Sequence, residues 1–388
     1  MSAIAIKGWC PGVWQPMRSG DGLVVRIRPQ QGRFDATQAA GIADLAERYG
    51  NGLIDLTSRA NLQIRGVSDD SHPALVDGLA KLHLLDPDPD TEARRNSLVT
   101  PFWTVGDDAI TIAEELERAL PRGPAGLPAK FGFAVDCGRE RVLAGASADV
   151  RIERDIDGQL MVRADGAEFG RPVARQDAVA IALSLAEWFV VASGSKKRRM
   201  AAHIGAGAKP PEALGGDASP ARKQAIPDPG LTLTGALFGL AFGQMTHTAL
   251  RWLAVRANGL RMTPWRMMLA EGLYDMPAGE GFITRAADPL ARVVACSGAP
   301  RCNEAHAETR ALGAALAPHL PADARLHVSG CAKGCAQSAP ASITLVATVN
   351  GFDVIHNGST RDLPAIRGLS RESIIANPLL LSGGVDAA

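Results

Sequence analysis

The apolar patterns of the first quarter of this chain return in the same order from residue 233 onward. GLVVRIRP (Gly22–Pro29) alternates as a strand does, and Ala36–Tyr49 has helical apolar spacing closed by Gly50. Leu53–Leu56 and Leu62–Ile64 read as strands, and His72–Leu85 as a second helix. In the later copy Leu233–Leu240 is strand-like, Met245–Ala257 helical, and Leu260–Met262 and Trp265–Leu269 extended. A longer α/β stretch ending in a hairpin follows each copy. DVRIERDIDGQLMVRADG turns at Asp157-Gly158 and ASITLVATVNGFDVI at Asn350-Gly351; both dipeptides predict type I′ turns, because these residues tolerate positive φ.

The expected fold class is therefore α+β and duplicated, with two ferredoxin-like βαββα units each followed by an α/β unit about a pseudo-twofold. A length of 388 residues suits two or three domains. The expected divisions are 1–86, 87–194, a connector at 195–230, 231–285 and 286–388. Gly, Pro and Ala dominate the connector, which marks a linker or mobile loop. Its run Lys196-Lys197-Arg198-Arg199 reads either as a solvated helix end or as a patch for an acidic ligand.

The copies differ in their cysteines. Cys296 and Cys302 form C-x5-C, Cys331 and Cys335 form C-x3-C, and all four lie in the second half. Four thiolates in two short loops are the usual ligand set of a [4Fe–4S] cluster, which is the leading reading. Zinc sites favour tighter pairs, and paired disulfides suit small secreted scaffolds rather than a chain able to build its own core. The matching stretches of the first half, RRNSLVTPF and LPAKFGFAVDCG, carry cations instead. An anionic, redox-active ligand between the halves is the expectation. Cys10 and Cys137 are expected to be buried, inert thiols.

Lys+Arg and Asp+Glu are 41 each, a balance that weakens a nucleic-acid reading, and no nucleic-acid partner is expected. MSAIAIKGWCPG lacks the pattern of a signal peptide, and the apolar stretch Ala178–Ala192 is broken by Glu187 and short for a membrane span. The cytoplasm is the expected compartment, with no membrane partner.

These residues resemble the sirohaem-dependent sulfite and nitrite reductase superfamily. The cysteine pair matches its cluster signature. LTSRANLQIRG (Leu56–Gly66) resembles its T-x-R-x-x-x-Q segment, with Arg59 at the active-site arginine. ARRNSLVTP (Ala93–Pro101) is similar to the segment supplying a second arginine, here Arg95, and LPAKFGF (Leu127–Phe133) places Lys130 at the first catalytic lysine. The reductases' second lysine is Gly132 here, and Ala129 replaces their arginine. CPGVWQPMRSGDGLVVRIRP (Cys10–Pro29), LPAKFGFAVDCG (Leu127–Gly138) and GLRMTPWRMMLAEG (Gly259–Gly272) look most like the precorrin-3B synthase branch, the monooxygenases of aerobic cobalamin biosynthesis.

That resemblance implies O2-dependent hydroxylation of precorrin-3A at C20, with the ring A acetate closing a γ-lactone at C1. A sirohaem-dependent sulfite or nitrite reductase is the alternative, disfavoured by Gly132, and a non-catalytic electron carrier or tetrapyrrole-binding partner is a third reading. The family implies a [4Fe–4S] cluster on Cys296, Cys302, Cys331 and Cys335, a mononuclear non-haem iron, and electrons from NADH or a separate reductase. It leaves sirohaem open. Gly298, Gly330 and Gly334 would let the loops bend around a cluster and aim N–H groups at sulfur. Arg59, Arg95 and Lys130 carry the implied catalytic roles, and with Arg65 they would bind the substrate's carboxylates. Arg261 and Arg266 are weaker candidates of the same type. His247 and His306, in the cluster half, are the first candidates for iron.

Overall fold

The computed structural model describes residues 11–194, 199–279 and 281–378, whose strands form four sheets. The ferredoxin-like sheets exchange strands. One runs Met17–Ser19, Gly22–Ile27, Leu62–Val67, Leu53–Leu56 and then Gln244–Thr246, lent by the second half. The other runs Gly230–Leu231, Gly235–Leu240, Met267–Glu271, Gly259–Met262 and then Arg33–Asp35, lent by the first. Each lent strand leads straight into a helix, Ala36–Tyr49 or His247–Arg256, and the two helices pack together. A single core results, in which Ile42, Ile54 and Ile64 join Phe238, Leu250 and Leu260. Each such side chain contributes about 1.5–3 kcal/mol by leaving water, so neither unit keeps its full core alone.

Exchange explains where one expected boundary moves. The helix expected from Met245 begins at His247, because Gln244–Thr246 pairs with Leu53–Leu56 and the Thr246 hydroxyl caps the N–H of Ala249. In the first copy Asp35 does the same through a capping box with Gln38. The helix His72–Lys81 stops short of Leu85, and His83 takes a left-handed φ of 57°. The strand expected from Trp265 begins at Met267, since Pro264, Trp265 and Arg266 make a turn with Arg266 at φ 59°.

The two α/β units share one topology. Ser97–Val99, Phe133–Asp136 and Val150–Arg154 run parallel, then Leu160–Ala164 and Arg171–Pro172 return antiparallel. Val293–Ala295, Leu326–Ser329 and Ala341–Thr348 repeat this, followed by Gly351–Gly358 and Ile366–Leu369. Neither hairpin has the expected type I′ turn, which needs positive φ at both central residues. Only Gly158 (82°) is positive in the first, where Asp155 accepts the N–H groups of Asp157 and Gln159. In the second, Thr348 pairs with Gly351, so the turn is Val349-Asn350 and Gly351 (118°) already belongs to the strand.

Among the described residues, one helical stretch, Arg175–Ser193, is long and apolar enough to cross a membrane. It packs instead on the first α/β sheet with Ala182, Leu185, Ala186 and Phe189 fully buried. The described part of the connector is not a free loop: Ala218, Ser219, Ala221, Arg222 and Gln224 share backbone hydrogen bonds with Gly170, Ile156, Arg154 and Arg141 of the first α/β unit. Lys196, Lys197 and Arg198 lie outside the described residues, as does Cys10.

Candidate functional site

Parallel strands Val293–Ala295 and Leu326–Ser329 end side by side and deliver the two cysteine loops from their carboxyl ends, where α/β sheets place ligands. All four thiols are free; Cys296, Cys302 and Cys331 are half-buried and Cys335 is exposed. The Gly330 N–H points at Cys296 Sγ at 3.2 Å, and the Thr309 hydroxyl donates to the Cys296 carbonyl at 2.7 Å. Gly298 requires its glycine: φ is 63°, and a Cβ would meet Thr309 Oγ1 at 2.7 Å. The thiols sense one another. Burial first, then the charges of Cys331, Cys296 and Cys302, push the Cys335 thiol up; Cys331 is raised by burial and by Cys302 and Cys296. Yet among the described residues no three His, Cys, Asp or Glu side chains gather as a single metal ion requires. Four thiols in mutual range but not clenched on one point fit a polynuclear cluster, whose ligands stand on separate irons, better than zinc.

The same observation removes any ready ligand set for a mononuclear non-haem iron among the described residues. His247 is committed to the first half, with Nε2 3.4 Å from Glu47 and Nδ1 3.4 Å from the Gly52 carbonyl. His306 is exposed, and its backbone N–H holds the Gly330 carbonyl at 2.8 Å. His327 gave no sequence signal as a site residue. It is fully buried with both ring nitrogens unpartnered, and burial, then the Arg266 charge, lowers its pKa to about 4.

Beside the loops lies a cavity of about 890 Å³. Its walls come from both ferredoxin-like units, through Ser58 of one turn and Trp265 and Arg266 of the other, and from Ala336 of the second cysteine loop. The two turns are internal copies. The Thr57 hydroxyl accepts the N–H groups of Arg59 and Asn61, the Thr263 hydroxyl accepts that of Trp265, and Ala60 (φ 55°) stands where Arg266 (φ 59°) does. Arg59 reaches the Lys130 carbonyl at 3.1 Å and Ser147 Oγ at 3.4 Å. Arg199 meets the same Ser147 Oγ at 2.9 Å while pairing with fully buried Asp149 at 2.8 Å. In the sequence Arg199 is only the end of a basic run; the pairing with Asp149 is what brings it to Ser147 of this wall. Lys130 is exposed, and a Cβ on Gly132 would lie 3.7 Å from Arg59 Nη1.

Three other arginines are placed differently from the expectation. Arg95 is buried, its fork on Asp86 (2.9 Å from both Nε and Nη2) and its remaining donors on the carbonyls of Pro29 and Arg28. Arg65 is buried between Asp21 and Asp55. Arg261 pairs with Glu271 and lies 3.6 Å above the Trp103 ring. None lines the cavity, because each guanidinium is already neutralised by an acid distant or adjacent in the chain. Cys137 lines a second cavity of about 930 Å³, at the carboxyl ends of Ser97–Val99 and Phe133–Asp136, the counterpart of the cysteine site in the first half. Burial pushes the Cys137 thiol well up, so it is inert there.

Residues 15–82 match the family model for the nitrite/sulfite reductase ferredoxin-like half domain. The chain thus carries a nitrite/sulfite reductase ferredoxin-like half domain at its N-terminal side. It is 29% identical to a precorrin-3B synthase of Sinorhizobium sp, over 92% of this chain and 84% of that protein. It is 27% identical to a ferredoxin–nitrite reductase of Synechococcus elongatus, but over only 34% of this chain and 28% of the other. The solved structure of the NirA protein of Mycobacterium tuberculosis superposes with a TM-score of 0.62 at 15% identity, covering 94% of this chain and 82% of that one. This last likeness carries the duplicated fold and nothing finer.

Proposed function

We propose that this chain is an oxidoreductase of cobalamin biosynthesis, a monooxygenase that converts precorrin-3A to precorrin-3B. The observation that carries this is the likeness to a precorrin-3B synthase across 92% of the chain, against 34% for the nitrite reductase. Gly132 beside Arg59 supports it, because proton delivery to a bound sulfite or nitrite favours clustered cations and one lysine is missing here.

In this reading the cavity takes the polycarboxylate macrocycle. Arg266 on the wall receives one carboxylate, and Arg59 and Arg199, both held on the wall residue Ser147, receive others together with Lys130; planar guanidinium groups can bind them in bidentate fashion. Trp265, Leu240 and Phe242 give the ring an apolar bed and exclude water. Cys296, Cys302, Cys331 and Cys335 would hold a [4Fe–4S] cluster, which supplies single electrons from an external reductase drawing on NADH. One atom of O2 enters at C20 and the other leaves as water, with two electrons from the donor, while the ring A carboxylate closes on C1. No step is assigned to a non-haem iron, for which the described residues offer no ligand set. The five divisions at 1–86, 87–194, 195–230, 231–285 and 286–388 serve as the working domain plan, with the two ferredoxin-like parts folding as one. Free thiols at all four motif positions suit the cytoplasm.

The test is anaerobic purification with iron, sulfide and haem quantified, then incubation with precorrin-3A and O2. A mass gain of one oxygen with lactone formation is the expected result. An unchanged tetrapyrrole alongside turnover of sulfite or nitrite would overturn it.

A further inference from the structure

The loop from Cys296 to Cys302 belongs to the second α/β unit, yet its far end is fastened by the first ferredoxin-like unit. The carbonyl of Arg301 accepts three donors from there: Gly20 N–H at 3.0 Å, Ser19 Oγ at 2.5 Å and Arg65 Nη2 at 3.2 Å. A carbonyl has two lone pairs, so this oxygen is saturated. It shares a planar peptide with the nitrogen of Cys302, whose N–H is bound to the Gly298 carbonyl at 2.8 Å. Both edges of the peptide entering Cys302 are therefore pinned. Contact is close enough that a Cβ on Gly20 would fall 2.1 Å from the Pro300 carbonyl.

Arg65 is held in turn by Asp21 (2.8 Å) and Asp55 (3.1 Å) and is only 5% exposed. Asp55 also accepts Arg310 at 3.3 Å and Gln244 at 2.8 Å. Arg310 follows Thr309, the residue that holds the Cys296 carbonyl. One buried chain of charges, Asp21–Arg65–Asp55–Arg310, thus braces both ends of the loop.

We infer that Arg65 is a positioning residue of the iron–sulfur centre, acting through the Arg301 carbonyl on Cys302, and not a carboxylate-binding residue of the cavity. This rests on the reading of the four cysteines as cluster ligands. Groups that orient ligands from behind control retention of the metal, and buried cations near a cluster favour its more negative reduced form.

The experiment compares wild type, Arg65→Lys, Arg65→Gln and Ser19→Ala after anaerobic reconstitution with iron and sulfide. Ser19→Ala leaves every buried charge paired and guards against loss of folding in the Arg65 variants. Arg18→Ala, which removes an exposed pair on the same strand, is the control. Iron and sulfide per chain, iron loss to a chelator and the midpoint potential are read. Expected are iron losses about tenfold faster in Ser19→Ala and Arg65→Lys, with a more negative potential in Arg65→Gln and little shift in Arg65→Lys. Wild-type retention and potential in all three variants would overturn the inference while leaving the cluster reading intact. Wild type that takes up no iron or sulfide would remove the cluster reading, and the inference with it.

Discussion

Arg266 donates from Nη2 to the carbonyl of Ala336, the residue after Cys335, at 2.9 Å. No carboxylate lies within ion-pair distance of it among the described residues, and burial, then the charge of Arg310, holds its pKa below the ordinary arginine value. A half-buried cation whose neighbouring acid, Asp55, is too far to pair with it, on a cavity wall and at a left-handed φ, is costly to keep, and an anionic ligand offsets that cost.

Replacing it should therefore weaken binding more than folding. Arg266→Ala removes a charged hydrogen bond to ligand, worth about 1.5–3 kcal/mol, so the tetrapyrrole Kd should rise at least about tenfold. Arg266→Gly also relieves the backbone and should unfold at or above the wild-type temperature while binding as poorly as Arg266→Ala. Titration of both variants with a polycarboxylate tetrapyrrole, beside thermal melts, decides it; undiminished binding would remove Arg266 from the site.

His327 makes a pH prediction. Its folded pKa of about 4 lies below the unfolded value near 6.5, so the unfolded chain binds more protons between them. The stability associated with neutral His327 is complete above about pH 6.5 and falls away as pH drops toward 4, by up to about 3 kcal/mol. His327→Leu removes two unpartnered buried nitrogens and should flatten that dependence, at little cost at pH 7. Denaturant melts at several pH values between 4 and 7 measure it.

Asp136 acts with the opposite sign. Burial, with a smaller push from Glu153, raises its pKa from 3.8 to about 7, and Oδ1 has no partner. The stabilising influence is full below pH 3.8 and is lost as pH rises through 7. Asp136→Asn keeps the shape without the charge. Above pH 7 it should be more stable than wild type, by on the order of 1–3 kcal/mol, with the gain vanishing near pH 4. Equal slopes for the two proteins would mean that Asp136 is ionised in the folded state.

Local periodicity made the duplicated order legible, and the cysteine spacing pointed to a cluster. The exchanged strands were not legible. Arg33–Asp35 and Gln244–Thr246 are three residues each, too short for an alternation to register, and their partners lie in the other half. The ion pairs of the arginines were not legible for a related reason. Motif spacing puts Arg59, Arg65 and Arg95 near one another, but Asp21 and Asp55 draw Arg65, and Asp86 draws Arg95, into buried ion pairs that the spacing does not reveal. The hairpin dipeptides misled because strand register places the turn: Thr348 pairs with Gly351, which takes Gly351 out of the turn, and Asp155 holds the longer loop around Gly158.

Gly132 offers the sharpest test of the reaction. Its φ is not in the left-handed region, so the backbone itself does not demand glycine. A Cβ there would lie 3.0 Å from the Asn96 carbonyl, a contact that needs a shift of a few tenths of an ångström. Gly132→Lys should fold once the Asn96 carbonyl gives by that amount, at a cost of roughly 1–3 kcal/mol, and add a cation next to Arg59. An added positive charge there tightens binding of small anions and competes with Arg59 for a carboxylate of the macrocycle. The expected outcome is stronger inhibition of precorrin-3A turnover by sulfite or nitrite, with a higher KM for the tetrapyrrole. An unchanged KM and unchanged inhibition would place Gly132 outside the reacting pocket and remove the argument that its lack of charge separates oxygen insertion from anion reduction.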